Sequence, residues 1–357
     1  MTNVTDRRSP AADPGTLPMR SQPAATQPDS PAGSDVRSIV AADIGGTHAR
    51  FALATVGGGK LIKLGEPLTL KTGNYASFQT AWEQFGKHVG APLPAELVIA
   101  FAGPVGGDSL KLTNNPWVIR PDQFAEKLGV ERHLILNDFG AVAHAVATLG
   151  AGAFDHLCGR AGSVPSIGMV TVLGPGTGFG VAALAKRKAG YEVIETEGGH
   201  VDFAPLDPIE DQILAFLRKS FRRVSIERLV AGSGLVNIHA ALGAIEQRSL
   251  APLQDKDLWA AALEGKDSLS AAALDRYCLI LGAVAGDLAL AQGADAVVIA
   301  GSLAKRLQQH LPMSGFSSRF IAKGRFERRM QEIPVKLLCH EQPGLMGAAA
   351  AYASKFR

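Results

Sequence analysis

The hydrophobic residues of this chain are grouped into short apolar runs separated by glycine-rich bends, and one such grouping occurs twice. The run 38–43 leads into a glycine bend, after which residues 50–54 are again mostly apolar. The runs 167–173 and 179–184 flank a second bend in the same way. Short apolar runs bounded by glycine predict strands, so each unit is expected to be a strand, a turn and a second strand.

Helical spacing dominates between and after these two units. Tyr75, Phe78, Trp82, Phe85 and Val89 recur at the spacing of one helix face. The other apolar segments predict strands at 97–102 and 296–300, and helices at 139–149, around 209–217, at 234–245 and around 279. Strands that alternate with helices predict mixed or parallel sheets with covered faces, and hence an α/β protein.

The first 36 residues differ in composition from the rest of the chain. Residues 1–36 contain six prolines and no phenylalanine, tryptophan or tyrosine. Such a segment cannot bury enough apolar surface to offset the entropy lost on ordering, and it lacks the apolar core of a secretion signal. We therefore expect a disordered extension.

Composition and charge argue against several classes of protein. The 36 basic and 33 acidic residues are scattered, so nucleic acid is not an expected partner. The three cysteines form no CxxC pair, which argues against a zinc site or disulfides and favours the cytoplasm. The apolar stretch 271–294 contains Asp275, Arg276 and Asp287, so it predicts a buried helix and no membrane span.

Each glycine bend offers successive backbone N–H groups that could hold a phosphate. Taken alone, either bend is more often an ordinary hairpin turn. Two such bends in one chain favour a pair that grips the two ends of a triphosphate. Other nucleotide signatures are missing: the sequence has no GxxxxGKS or GxxxxGKT, and Phe179 occupies the third-glycine position of a dinucleotide fingerprint.

Three groups of polar residues are candidates for binding or catalysis. Asn137 and Asp138 follow an apolar strand, where a carboxylate can project into a cleft; the alternative is that Asp138 caps the next helix. Glu197 and His200 flank two glycines, which suits hydrogen bonding to vicinal hydroxyls; the alternative is a metal site, for which further ligands are lacking nearby. Glu227, taken alone, is more often a surface helix charge.

Together these residues resemble bacterial glucokinases of the group A hexokinase-related family, from about Ile39 to the C-terminus. The resemblance is carried by motifs at 43–47 (DIGGT), 112–117 (LTNNPW), 137–139 (NDF), 174–178 (GPGTG), 197–203 (EGGHVDF) and 225–228 (SIER). Six motifs in this order are much more specific than any one of them.

The resemblance implies an α/β protein with the two-domain actin-like, ribonuclease H-like ATPase fold and an active-site cleft between the domains. It implies a small domain at 37–147 plus 343–357, because the last helix returns to it, and a large domain at 148–342. The implied activity is ATP-dependent phosphorylation of glucose at its 6-hydroxyl, with Mg²⁺ as cofactor. Similar enzymes are often dimers, so a homodimer is also consistent with the resemblance.

The resemblance also implies roles for individual residues. Asp138 is the general base, and Asp43 positions Mg²⁺ through water. The implied sugar-binding positions are Asn114, Asn137, Asp138, Glu197, His200 and Glu227. The implied nucleotide-binding positions are Asp43, Gly45, Gly46 and Thr47 in the first bend, Gly174, Gly176, Thr177 and Gly178 in the second, and Gly301.

Three residues depart from the family pattern. His48 replaces the usual Asn, Pro175 replaces the usual Ala, and Ser302 replaces the second glycine of the adenine-side loop. Ser302 is the most consequential, because its Cβ limits the approach of the backbone to base or ribose. We therefore expect an effect on nucleotide preference. The alternatives left open are a kinase for another hexose or another phosphoryl donor such as polyphosphate, and a non-catalytic sugar sensor on the same fold.

Overall fold

Strands and helices alternate along the chain, as the apolar pattern predicts. The computed structural model describes residues 36–112, 115–250 and 254–357. The strands are β1 (Arg37–Ile44), β2 (His48–Gly57), β3 (Lys60–Leu64), β4 (Leu68–Lys71), β5 (Glu96–Phe101), β6 (Leu110–Lys111), β7 (Val118–Ile119), β8 (Arg132–Asn137), β9 (Phe154–Cys158), β10 (Gly168–Pro175), β11 (Phe179–Arg187), β12 (Gly190–Thr196), β13 (Ala296–Ile299) and β14 (Val335–Leu338). The helices are α1 (Phe78–Val89), α2 (Phe124–Leu128), α3 (Asp138–Thr148), α4 (Pro208–Leu217), α5 (Glu227–Val230), α6 (Gly234–Ile245), α7 (Asp255–Glu264), α8 (Ser268–Gln292), α9 (Ser302–Arg306), α10 (Phe316–Ile321), α11 (Glu327–Glu332) and α12 (Pro343–Lys355).

The strands form two large sheets that share one plan. The first sheet has the order β3-β2-β1-β5-β8, with β4 also paired to β2, and the second has the order β12-β11-β10-β13-β14-β9. In the first, β1 pairs antiparallel with β2 and parallel with β5. In the second, β10 pairs antiparallel with β11 and parallel with β13. The repeat seen in the sequence is therefore part of a repeat of whole sheets, and the predicted α/β class is confirmed.

The two glycine bends occupy the same place in their sheets. The β1–β2 ladder ends at the pair Ile44↔Ala49, so residues 45–47 form the first bend. The β10–β11 ladder ends at the pair Pro175↔Phe179, so residues 176–178 form the second bend. Each bend thus extends from the leading strand of its sheet.

Two small-residue helices, α3 and α12, pack against each other and each covers one sheet. Ala143 and Val146 of α3 belong to the core on the second sheet, whereas Leu345 and other residues of α12 belong to the core on the first. The helices approach so closely that a Cβ on Gly347 would lie 1.7 Å from the carbonyl oxygen of Ala141. Small side chains at this contact therefore set the spacing of the two helices.

The long helix α8 lies in the core beside the second sheet. Among the described residues, α8 is the one helix that is both long enough and apolar enough to cross a membrane. However, 72% of its most apolar stretch is buried inside the protein. Arg276 lies in this helix, and its Nη1 donates to the buried Glu210 at 2.9 Å. Asp287 pairs with Lys323 at 2.8 Å. Arg276 is therefore neutralised by a buried carboxylate, whereas the Asp287 side chain is more than half exposed to solvent.

The described chain from Val36 to Arg357 forms one compact unit. Strands β1–β8 supply the first sheet and strands β9–β14 the second, apart from the small β6–β7 pair. The division into 37–147 plus 343–357 and 148–342 stays a prediction. The predicted extension at 1–36 lies outside the described residues, except for Val36.

We expect Gly347→Ala to lower the stability of the protein by about 1–3 kcal/mol, because the new methyl group would overlap the α3 backbone. The measurement is the thermal unfolding midpoint. The control is Gly106→Ala, where no heavy atom lies within 4 Å of the added Cβ. Equal midpoints for the two variants would contradict the tight helix contact.

Candidate active site

The first bend is held by its own hairpin and by a neighbouring segment. The Gly45 N–H donates to the His48 carbonyl at 2.9 Å, which closes the turn. The Thr72 hydroxyl donates to the Gly46 carbonyl at 2.6 Å, and the Thr72 N–H donates to the Thr47 carbonyl at 3.0 Å. With these carbonyls engaged, the exposed Thr47 forms the tip of a well-supported turn.

The second bend is held by two loops from the helical part of the chain. The Gly176 N–H donates to the Gly178 carbonyl at 2.9 Å, and the Gly232 N–H donates to the Gly176 carbonyl at 2.8 Å. Gly301 adopts a φ of +98°, and a Cβ there would lie 2.7 Å from the Pro175 carbonyl oxygen. Glycine is therefore required at 301, and the predicted residues of this bend and Gly301 form one cluster.

The phenyl ring of Phe139 ties the second bend to Asp138. A Cβ on Gly180 would lie 2.2 Å from this ring, and a Cβ on Gly174 would lie 2.7 Å from it. The two glycines therefore leave the space that the ring fills. Since Phe139 directly follows Asp138, this packing fixes the start of α3 beside the second hairpin.

Asp43, at the end of β1, approaches the same place from the first hairpin. Its Oδ2 accepts a hydrogen bond from Arg50 Nη1 at 3.1 Å. A Cβ on Gly344 would lie 2.9 Å from the Asp43 carboxylate, so the start of α12 packs directly against this carboxylate. Burial raises the pKa of Asp43, and the neighbouring guanidinium opposes that rise.

Asp138 is held in an environment that disfavours its charge. Burial is the largest cause that raises the pKa of Asp138, and with the negative charges of Asp43 and Glu197 it brings that pKa to about 6. The Phe139 N–H, which donates to Asp138 Oδ1 at 2.8 Å, acts in the opposite direction. A carboxylate with a raised pKa is a better proton acceptor at neutral pH, so Asp138 has the properties of a general base.

The cap of helix α3 is Asn137, and the alternative in which Asp138 caps the helix is wrong. Asn137 Oδ1 accepts hydrogen bonds from the N–H groups of Phe139 at 2.8 Å and Gly140 at 3.2 Å. Asp138 is the first residue of the helix itself. The cap orients the Asn137 side chain and leaves Asp138 to project from a rigid helix start.

Glu197 and His200 lie on the short 3₁₀ turn that follows β12. Their side chains are 3.9 Å apart at His200 Nε2 and Glu197 Oε2, and both are more than half exposed. The His200 carbonyl accepts a hydrogen bond from Arg223. Glu197 is close enough to Asp138 to raise its pKa, which brings the predicted sugar residue and the predicted base together.

Glu227 is half-buried and is not a surface helix charge. Its Oε2 accepts a hydrogen bond from the Phe179 N–H at 2.9 Å. A Cβ on Gly178 would lie 2.6 Å from the same oxygen. Glu227 therefore packs against the second bend, in contact with residues predicted to bind the nucleotide.

The remaining predicted sugar residue, Asn114, lies outside the described residues. Its neighbour Asn115 is described, and Asn115 Nδ2 donates to the Gly46 carbonyl at 3.4 Å. Asn115 Oδ1 accepts a hydrogen bond from the Trp117 N–H at 2.9 Å. The 112–117 motif is thus anchored to the first bend.

Three residues at the site were missed by reasoning from the sequence. Arg50 pairs with Asp43, Gly344 makes room for that carboxylate, and Glu195 Oε1 accepts the Asn137 N–H at 3.0 Å. Arg50 had a weak signal, since it stands opposite Asp43 in a hairpin ladder. Glu195 and Gly344 had no signal in the sequence, because the residues that they contact are far away along the chain.

Asp43 fits the predicted role in magnesium binding. Among residues 36–112, 115–250 and 254–357, no group of three or more His, Cys, Asp or Glu side chains could hold a metal ion. Mg²⁺ commonly binds proteins through one or two carboxylates, waters and substrate phosphates. A single carboxylate beside a turn that is predicted to bind phosphate has that donor chemistry.

Comparison with known proteins places the chain among enzymes of one family. Residues 40–355 match the family model described as Glucokinase. A glucokinase of Zymomonas mobilis is 60% identical over 318 residues, which cover 89% of this chain and 98% of that protein. The structure of a glucokinase from an Antarctic psychrotroph is 31% identical, with a TM-score of 0.77 over 88% of this chain and 98% of that one.

A third similar protein, of low sequence identity, shares the fold. The structure of a glucokinase from Balamuthia mandrillaris, in complex with glucose, is 20% identical, with a TM-score of 0.73 over 90% of this chain and 94% of that one. These matches and the two repeated sheets confirm the predicted two-domain actin-like fold class.

We expect Asp138→Asn to stabilise the protein by about 1–3 kcal/mol at pH 7. The pKa of Asp138 is raised from 3.8 to about 6 on folding. Its contribution to stability is therefore fully present below about pH 4 and is lost as the pH rises through about 6. The gain in the variant should shrink as the pH falls from 7 to 4.

The measurement is the free energy of unfolding in urea at several pH values. Asp108→Asn, at an exposed loop position, is the control and should show no comparable pH-dependent gain. If the difference in the free energy of unfolding between Asp138→Asn and the unmodified protein does not change with pH, ionisation of Asp138 does not destabilise the fold, which would contradict its raised pKa.

Proposed function

This chain belongs to the glucokinase family, and from that membership we propose that it transfers the γ-phosphoryl group of ATP to the 6-hydroxyl of glucose. The observation that carries the assignment of roles is the position of Asp138. It lies within electrostatic reach of Asp43 on the first hairpin, and its neighbour Phe139 packs on the glycines of the second. A base at this place can serve a hydroxyl presented to a nucleotide held by both bends.

Asp138 acts on the attacking hydroxyl in this proposal. Its carboxylate accepts the proton as the 6-oxygen of glucose bonds to the γ-phosphorus and the bond to the β-phosphate oxygen breaks. The cap formed by Asn137 fixes the start of α3, so the carboxylate needs no rearrangement to meet the hydroxyl. Its raised pKa of about 6 keeps it ionised at neutral pH yet basic enough to take the proton.

The sugar is held, in this proposal, by Asn114, Asn137, Glu197, His200 and Glu227. Carboxylates accept strong hydrogen bonds from hydroxyls, and the two glycines between Glu197 and His200 keep the approach open. The pairing of Glu227 with the Phe179 N–H supports a second role for this residue. It would couple the sugar pocket to the bend that holds the nucleotide.

The nucleotide is held, in this proposal, by the two bends and Gly301. The first bend faces the γ-phosphate and the second holds the α- and β-phosphates, through backbone N–H groups. Asp43 would position Mg²⁺ through water, and the ion would offset the charge of the triphosphate. Ser302 follows Gly301 at the start of α9 and is exposed, which supports an influence on nucleotide preference.

We further propose that the enzyme works in the cytoplasm as a homodimer whose two domains close over the substrates. The cysteines Cys158, Cys278 and Cys339 are all free, which suits a reducing compartment. Closure would exclude water, which competes with the sugar for the phosphoryl group. Light scattering of the purified protein tests the dimer, with a monomer at working concentrations as the contrary result.

The test of the activity is a coupled assay of the purified protein against several hexoses, with ATP and polyphosphate as donors. We expect turnover with glucose and ATP, and a kcat about 10² to 10⁴ lower for Asp138→Asn because the proton acceptor is lost. Asp108→Asn is the control and should keep full kcat. Preference for another hexose or donor, or near-normal turnover by Asp138→Asn, would contradict the proposal.

We also expect Glu197→Gln to raise the KM for glucose by about tenfold, because it loses charge-assisted hydrogen bonds to hydroxyls. The charge of Glu197 helps to raise the pKa of Asp138, so its removal should lower that pKa. Since the base works when deprotonated, the acidic fall in kcat/KM, near pH 6 in the unmodified enzyme, should move to lower pH.

Both effects are measured in one series of initial rates against glucose concentration and pH. Glu192→Gln is the matched control, because Glu192 is exposed on strand β12, which leads into Glu197. If the KM for glucose is unchanged and the acidic fall in kcat/KM stays at the same pH, Glu197 has no part in the site.

A further inference from the structure

Strand β12, which leads into Glu197, carries the carboxylate of Glu195, which has no role in the proposed reaction. Its Oε1 accepts a hydrogen bond from the Asn137 N–H at 3.0 Å. β12 is an edge strand of the second sheet, and β8, which ends at Asn137, is an edge strand of the first. This hydrogen bond therefore joins the edges of the two sheets, one residue away from Asp138.

The space for this carboxylate is made by a glycine in helix α3. A Cβ on Gly140 would lie 2.1 Å from Glu195 Oε1 and 2.7 Å from its Cδ. Alanine is normally preferred over glycine in a helix, by about 1 kcal/mol. Glycine at 140 thus gives up helix propensity at the first turn of α3, and the space gained is filled by Glu195.

With Glu195 in place, Asn137 is fixed from three directions. Its backbone is paired with Phe101 in the β5–β8 ladder, and its side chain caps α3. Its N–H, on the outer side of an edge strand, is bound by Glu195. The first two contacts lie within the first sheet and α3, whereas the third sets the position of Asn137 relative to the strand that leads into Glu197.

We propose that Glu195 is a positioning residue for Asp138: its carboxylate holds the Asn137–Asp138 backbone against β12, so that the base and the sugar-binding Glu197 keep one fixed separation. The inference rests on the proposed function, because it assigns Asp138 the part of the base. Glu195 itself touches neither the sugar nor the nucleotide in this account.

Loss of the carboxylate should reduce the rate more than binding. We expect Glu195→Ala to lower kcat about tenfold and to change the KM for glucose by less than about threefold, because small displacements of a base affect the transition state most. Glu195→Gln keeps an oxygen that can accept the Asn137 N–H. It should therefore recover kcat to within about threefold of the unmodified enzyme.

Tyr191 provides a matched control on the same strand and helix. Its hydroxyl lies 3.1 Å from His144 Nδ1, so it also links β12 to α3, but well after the start of the helix. Tyr191→Phe should keep kcat within about twofold, even if stability falls, because the first turn of α3 stays fixed. A tenfold fall in kcat for Tyr191→Phe would mean that any loosening of α3 has the same effect, and would overturn the specific role of Glu195.

Gly140→Ala displaces the same carboxylate without removing its charge. We expect this variant to lower kcat about as much as Glu195→Ala, and to have little further effect in the Glu195→Ala background, where the new methyl group has room. If the fold-reductions in kcat of the two single variants multiply in the double variant, the two residues act independently, and the proposal is overturned.

The hydrogen bond is also tested without any activity, by hydrogen exchange of the Asn137 amide followed by NMR. The amide should be protected in the unmodified protein and in Glu195→Gln, and exposed in Glu195→Ala with the Phe101 amide unchanged. Absence of protection in the unmodified protein would overturn the inference even if the variants fail to fold. An unmodified protein with a protected amide but no glucose kinase activity would instead refute the proposed function alone.

Discussion

Three carboxylates whose charges meet at the start of α3 are the constraint on which the rest of this structure depends: Asp43 and Asp138 are poorly solvated, whereas Glu197 is exposed. Asp43 comes from the first sheet, Asp138 from the start of α3, and Glu197 from the end of the second sheet, and the charges of the other two raise the pKa of Asp138. Like charges held together destabilise a fold, so their presence here favours a functional role for the site. Here they raise the pKa of Asp138, as the proposed role of this residue as a base requires.

The scaffold that imposes this proximity is built from small residues. Gly347 lets α12 lie against the α3 backbone, Gly344 lets its first turn meet Asp43, and Gly180 admits the Phe139 ring under the second bend. Larger residues at these places would separate the two sheets or move the base. The geometry of the proposed site therefore depends on close backbone contacts, which are rigid because little in them can rearrange.

The sequence was sufficient for elements whose signal is local. The helix predicted at 234–245 is observed at those bounds, and the stretch predicted as a buried helix around 279 is α8. Strands β9, β12 and β14 were not predicted, because most residues of β12 are exposed and the other two strands are short and take their places from their neighbours. The sequence left a cap at Asp138 open as an alternative, since Asn137 and Asp138 are both good caps and only the backbone geometry chooses between them. The partnership of Glu195 with Asn137 spans 58 residues and had no signal.

The most direct test of the account is a crystal structure of Asp138→Asn with glucose and a non-hydrolysable ATP analogue. We expect the side chain at 138 to lie within about 3 Å of the glucose 6-oxygen, with the triphosphate in contact with residues 45–47 and 176–178. Glucose bound with its 6-hydroxyl against another side chain, or a triphosphate away from both bends, would contradict it.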